Sequence, residues 1–185
     1  MRKIPTLFKR DPEDMSQVLS EVNPAAAWVF EDVEHVQPTR KYDGTCVKRD
    51  DGIGGWWARR EVKPGKKPPE NYWPEETDPN TGKTVGWEPI GQSPFFKAWQ
   101  EAIGHEMSTE PGTYELCGPK INGNPEGFEH HVLIRHAEAE HYYGPMNGYD
   151  DLRGLLAESP YEGIVWHHDD GRMAKLKRRD FGFRS

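Results

Sequence analysis

Lys41 stands one residue ahead of an Asp-Gly pair in the stretch TRKYDGTCVKRDDG, residues 39–52. A lysine amine in its neutral form is a nucleophile able to carry a covalent intermediate. Taken alone, the pattern is more simply a solvated charge before a turn, because lysine is abundant and Asp-Gly is a common turn dipeptide. The rest of the chain has to decide between the two.

A second cluster of chemistry-bearing residues lies in YEGIVWHHDDGRMAKLKRRD, residues 161–180, which reads as strand, Asp-Gly turn, strand. A two-residue turn at Asp170-Gly171 would pair 169 with 172, 166 with 175 and 164 with 177. Alternation along the strands then sets Glu162 on the same face as Lys175 and Lys177, with Ile164 and Trp166 beside them. A three-residue turn would shift the register by one and send Glu162 to the other face. The first register describes a half-buried polar pocket, whereas an outward-facing charged hairpin is the plainer reading.

The elements that must position these residues are legible only in part. Residues 12–22, 93–107 and 150–159 have helical apolar spacing, the second with Ser93 as its N-cap. Strand-like runs are CVKR, WWARREV, GTYELCG, HHVLIRHAEA and EGIVWHH. They alternate with the helices without regular β-α-β spacing, so the expected class is α+β with mainly antiparallel sheets. The chain of 185 residues fits a single domain, 1–185. Residues 63–94 interrupt it with seven prolines and four glycines, a long excursion of the kind that is functional or disordered. Two cysteines give no disulfide framework and suit a reducing cytoplasm, and no stretch approaches the length of a membrane span.

The formal net charge is −7, yet residues 40–67 carry a basic surplus of five and residues 172–184 another five. Two basic segments on an acidic body can form a local phosphate-binding face, although by charge alone two solvated loops are the plainer reading. The histidines His131, His136 and His141 are spaced for neither a helix face nor one strand face, and no cysteine pair joins them, which argues against structural zinc. Cys46 and Cys117 read as small buried residues, and DDGIGG at 50–55 as a hairpin turn. Of Trp56 and Trp57, one must face outward on a strand.

In order, KYDG (41–44), YELCG (114–118), EGIVW (162–166) and AKLK (174–177) resemble the motifs of the covalent nucleotidyltransferases, which include ATP-dependent ligases and mRNA capping enzymes. KIPTLFKRD, RKYDGTCV and YELCGPKINGNPEGFE further resemble a family of small single-domain RNA ligases. The resemblance implies an ATP-grasp-like adenylation domain, with no C-terminal OB domain in the eight residues after Lys177. It implies that Lys41 attacks the α-phosphate of ATP, forming lysyl-AMP and releasing pyrophosphate. An ordinary lysine is protonated at neutral pH, and Lys175 and Lys177 would depress the pKa of Lys41 while neutralising the phosphates. Asp43 and Glu162 would supply oxygen ligands to Mg²⁺, Glu115 would hold the ribose hydroxyls, and Arg59 or Arg60 would bind phosphate. The implied partners are RNA 5′-phosphate and 3′-hydroxyl ends. Arg40 replaces the glutamate that precedes the lysine in many ligases, and Cys46 replaces an arginine usual in DNA ligases. A self-adenylylating or RNA-end-binding protein without ligase turnover is the alternative on the same motifs.

Overall fold

The computed structural model describes residues 3–52, 54–105 and 109–183. From the N-terminal side, β1 (Phe8–Arg10) and β2 (Val18–Val22) precede the short helix α1 (Trp28–Glu31). Five strands follow: β3 (Val36–Lys41), β4 (Thr45–Arg49), β5 (Trp56–Val62), β6 (Trp73–Thr77) and β7 (Thr84–Pro89). Helix α2 (Phe96–Gly104) leads to β8 (Gly112–Cys117) and β9 (Val132–Arg135). Helix α3 (Tyr149–Glu158), β10 (Gly163–His168) and β11 (Met173–Lys177) complete the order. Every ladder between these strands is antiparallel, and the class is α+β.

The elements gather into two compact units. One comprises Ile4–Tyr42 with Ala139–Ser185, the other Asp43–Glu138 with Met1–Lys3. The first contains a three-stranded sheet in the order β11-β10-β3 and the β1-β2 hairpin. Along β10 and β11 the even-numbered side chains, Ile164, Trp166, Ala174 and Leu176, are buried with Leu7, Phe8, Trp28, Leu152 and Leu156. Burying each of the larger ones contributes about 1.5–3 kcal/mol, so this apolar face fixes the sheet and leaves the odd-numbered face for polar groups. Residues before β1 extend the same sheet: Leu7 N donates to Lys175 O at 2.9 Å, and Lys175 N donates to Pro5 O at 3.0 Å.

The second unit is built on a six-stranded sheet, β6-β7-β5-β4-β8-β9. One face carries Val47, Ala58, Tyr114 and Leu116, which pack with Ala102 of α2 and with Ile90 and Leu133. The DDGIGG segment joins β4 to β5 as a hairpin, closed by Asp50 N donating to Gly55 O at 3.0 Å.

Several expectations are corrected. Residues 12–22 are not a helix: Asp14 accepts from Ser16 N and from the side chains of Ser16 and Gln17, holding a turn that competes with helix, and β2 then pairs with β1. Met15 and Leu19, half of the expected apolar stripe of Met15, Val18, Leu19 and Val22, are exposed. Helix α2 starts at Phe96, directly after the turn in which Phe95 N donates to Ser93 Oγ, and residues 106–107 of its expected span lie outside the described residues. The proline-rich excursion contains β6 and β7, with Val85, Trp87 and Glu88 buried. Gly86 permits that pairing, since a Cβ there would lie 2.2 Å from Trp73 O. Only Val132–Arg135 of the long histidine-flanked run is strand, and His136–Glu138 turns into a 3₁₀ helix.

The β10-β11 register also differs from the two-residue-turn expectation. Gly163 pairs with Lys177, Ile164 with Leu176 and Val165 with Lys175, a shift of one residue that opens a longer turn. Ile164 and Trp166 therefore face the core, on the side of the sheet opposite to the lysines.

Candidate functional site

Lys41 ends β3 and lies in register with Gly163, which in turn lies in register with Lys177. One row further along the sheet stand Thr39, Val165 and Lys175. All six share the odd-numbered face, so the three lysines are brought together by strand pairing alone. Gly163 is required by close approach: a Cβ there would lie 2.1 Å from Leu176 O.

Glu162 completes the cluster. Its Oε2 is 2.5 Å from Lys41 Nζ, and its Oε1 accepts from Lys177 Nζ. Strand alternation would have sent Glu162 to the core face. It escapes because it precedes the first residue of β10, where its carbonyl accepts from Arg178 N at 2.9 Å and its side chain is no longer bound by the pleat. The sequence thus joins Glu162 to the lysines through the wrong register.

The electrostatics of the cluster are those of charge confined away from water. Burial raises the Glu162 pKa, but the ammonium groups of Lys41 and Lys177 outweigh it and hold the carboxyl below its ordinary range. Burial, then repulsion from Lys177 and Lys41, depresses Lys175 to about 8. Lys177 is depressed by burial and by Lys41, with Glu162 opposing. Asp180, almost fully buried, accepts from Lys177 N at 2.8 Å and pairs with Arg10 at 2.8 Å, which anchors the end of β11. Arg40 points its guanidinium at Tyr161, 3.7 Å from the ring centroid, and at Tyr42, 4.4 Å away. That stacking suits arginine, not the glutamate common at this position in ligases.

Asp43 and Glu115 lie in the six-stranded unit, where they form a second constellation. Gly44 N donates to Glu115 Oε1 at 3.2 Å, and Glu115 Oε2 meets His136 Nε2 at 2.9 Å. His136 Nδ1 meets Thr113 Oγ1 at 2.9 Å. Asn122 Nδ2 donates to Asp43 Oδ1 and to Gly44 O, and Asp43 N donates to Glu126 Oε1. The Asp-Gly pair is no simple turn: a Cβ on Gly44 would lie 2.4 Å from Leu116 O, so glycine lets this segment press against β8.

Ladder register separates the two arginines. Arg59 pairs with Trp87, and the row parity places it on the face of Cys46, Lys48 and Glu115. Arg60 pairs with Gly86 and shares the opposite face with Val47 and Ala58, which pack with α2, and is itself exposed.

The histidines go to separate tasks: His131 pairs with Glu101, His136 orients Glu115, and His141 lies near Gln37 in the other unit. Among the described residues, no group of three or more His, Cys, Asp or Glu side chains is placed to hold a metal ion. Asn122 and Glu126 lie within YELCGPKINGNPEGFE without a role assigned to them there, and His136 and Asp180 lie in no motif. The only signal for the first was the run of asparagines in PKINGNPEG, where Asn122 and Asn124 adopt positive φ.

Comparison with known proteins gives the same direction. The RNA ligase 1 family profile matches residues 101–185, a stretch holding Glu115, Glu162, Lys175 and Lys177. RNA ligase 1 of Pongo abelii is 24% identical over 262 aligned positions, covering 98% of this chain and 81% of that protein. RNA ligase 1 of Danio rerio is 35% identical over 80 residues, 39% of this chain and 25% of that protein. The Rattus norvegicus protein of the same name is 27% identical over 169 residues, 69% of this chain and 51% of that protein. The chain is thus similar to RNA ligase 1 proteins over most of its length. It spans most of the length of the first of these relatives, about half of the rat protein and a quarter of the zebrafish one.

Proposed function

We propose that the chain is an ATP-dependent RNA ligase acting through lysyl-AMP, on a single ATP-grasp-like nucleotidyltransferase domain, in a reducing cytoplasm. The observation that carries this reading is the convergence of Lys41, Glu162, Lys175 and Lys177 at one end of one sheet face. Lys41 Nζ gives up its proton to solvent, the neutral amine attacks the α-phosphorus of ATP, a P–N bond forms, and the P–O bond to pyrophosphate breaks. The nucleotide then passes to the 5′-phosphate of RNA, and a 3′-hydroxyl displaces AMP to seal the strand.

The residues have distinct tasks in this scheme. Glu162 holds Lys41 by its Nζ and fixes its direction. Lys175 and Lys177 meet charge developing on the phosphates, and the depressed Lys175 shows that this pocket disfavours ammonium charge. Glu115, steadied by His136, offers its carboxylate to the ribose hydroxyls. Arg59, on the same face as Glu115, binds phosphate through its bidentate fork. A preformed metal cradle does not fit these residues, because two ammonium groups already occupy both oxygens of Glu162. Mg²⁺ is better read as arriving on the phosphates of ATP, as is common for a cation that keeps much of its water, with Asp43 the carboxylate left to meet it.

The test is incubation with ATP labelled at the α-phosphate, followed by 5′-phosphorylated RNA. Label should appear on the protein, survive denaturation, vanish in Lys41→Ala and pass to RNA. Label persisting in Lys41→Ala would move the nucleophile elsewhere. Label that forms but never leaves the protein would make this a self-adenylylating protein, and sealing of nicked DNA with RNA ends left open would defeat the choice of substrate.

A further inference from the structure

The proline-rich segment between β5 and β7 belongs to none of the steps above, yet it builds a cleft. Val62, Lys63, Pro64, Lys66, Tyr72 and Pro74 are among its lining residues, and its volume is about 510 Å³. That volume lies within the range of about 300–1,000 Å³ typical of ligand sites. Its walls are stiff. The prolines have fixed φ, and Tyr72 Oη bridges Arg60 O at 3.1 Å and Thr84 O at 3.2 Å, tying the segment to β5 and β7. Gly82 closes against Pro64 so tightly that a Cβ would lie 2.9 Å from the proline ring.

The charge in the cleft has one sign. Of the five carboxylates between residues 61 and 84, none lines it. Glu61 pairs with Lys83, Asp78 with Lys3, Glu75 accepts from Trp87 Nε1, and Glu76 accepts from Lys3 N. Among the described residues, Lys63 and Lys66 have no carboxylate partner. A preformed groove with two uncompensated cations, apolar ring walls and no acceptor side chain except hydroxyls fits a phosphodiester backbone, whose charge is fixed and whose sugars tolerate ring contact.

We infer that this cleft holds the sugar-phosphate backbone of an RNA strand at a distance from the end being joined. The identity of the strand rests on the ligase reading; the cleft's affinity for a polyanion does not. The experiment compares the intact protein with its Lys63→Gln/Lys66→Gln and Lys63→Arg/Lys66→Arg variants, using a single-stranded RNA dodecamer and a polyglutamate peptide as probes. The Gln variant should bind RNA about tenfold more weakly, and the slope of log affinity against log salt should flatten by about 1.4, two contacts at about 0.7 each. The Arg variant should bind as the intact protein does, and adenylylation of Lys41 should be equal in all three. Unchanged RNA affinity and salt slope in the Gln variant would overturn the inference. So would loss of polyglutamate binding in that variant with RNA binding intact. If RNA binding falls as expected but the intact protein never seals RNA, the cleft stands and the ligase reading fails.

Discussion

Replacing Lys175 by methionine removes a buried ammonium while keeping a side chain of similar length. In the folded protein Lys175 is depressed from 10.5 to about 8, by burial first and by Lys177 and Lys41 second. Below pH 8 the group is charged in both the folded and unfolded states, and the folded state bears the penalty. From pH 8 to 10.5 the folded protein has released this proton while the unfolded chain still holds it, so stability rises with pH across that window. At 1.36 kcal/mol per pH unit the full penalty is about 3 kcal/mol, and solvent screening of a partly exposed side chain brings it to about 1–3 kcal/mol. Urea unfolding should therefore find Lys175→Met more stable than the parent at pH 7 by about 1–3 kcal/mol, with the gain shrinking towards pH 10. Adenylylation by the same variant should fall at least about tenfold, because a cation has left the developing phosphate charge. Equal stability at pH 7, or a gain undiminished at pH 10, would refute the account of Lys175. Stability that rises with activity intact would remove it from the site.

Gly163→Ala must push β11 away from β10, since its Cβ would lie 2.1 Å from Leu176 O. A loss of about 1–3 kcal/mol in thermal or urea unfolding is expected, with adenylylation falling further than stability does because the Lys177–Gly163–Lys41 row opens. Arg59→Ala should raise the ATP concentration needed for adenylylation at least about tenfold, the scale of a lost charged hydrogen bond, while Arg60→Ala leaves it within about twofold. The opposite ranking in an ATP titration would assign phosphate binding to the α2 face of the sheet.

Much of the site was legible because strand pairing follows from short, regular runs. WWARREV matches β5 residue for residue, and EGIVWHH and MAKLK gave the hairpin that brings its lysines beside Lys41. The register was not legible, because Asp-Gly suits a two-residue turn as well as a longer one, and the one-residue slip reversed which face Ile164 and Trp166 occupy. Glu162 was found only because a residue just outside a strand can turn its side chain away from the pleat. The false helix at 12–22 has a related cause: Val18 and Val22 fit a helical stripe and a β-ladder alike, and Asp14 settles the choice by capturing nearby donors. The contacts of His136 and Asn122 were not legible, since each acts through a partner far away in the sequence, Glu115 in one case and Asp43 in the other.

The hydrogen bonds that bind Pro5 and Leu7 to Lys175 have a consequence for the order of assembly. A chain emerging from the ribosome presents Lys41 early, while Gly163, Lys175 and Lys177, which must lie beside it, are more than a hundred residues behind. The six-stranded sheet draws its strands from residues 45–135 and can be in place long before then. The sheet that carries Lys41 closes over the longest sequence separations in the molecule, contacts that form slowly because the intervening chain must first be ordered. A nascent chain stopped at residue 160 would thus hold the Lys41 amine without the carboxylate that pairs with it or the lysines beside it. On the proposed reading, adenylylation of Lys41 would have to wait until Gly163–Lys177 are folded beside it.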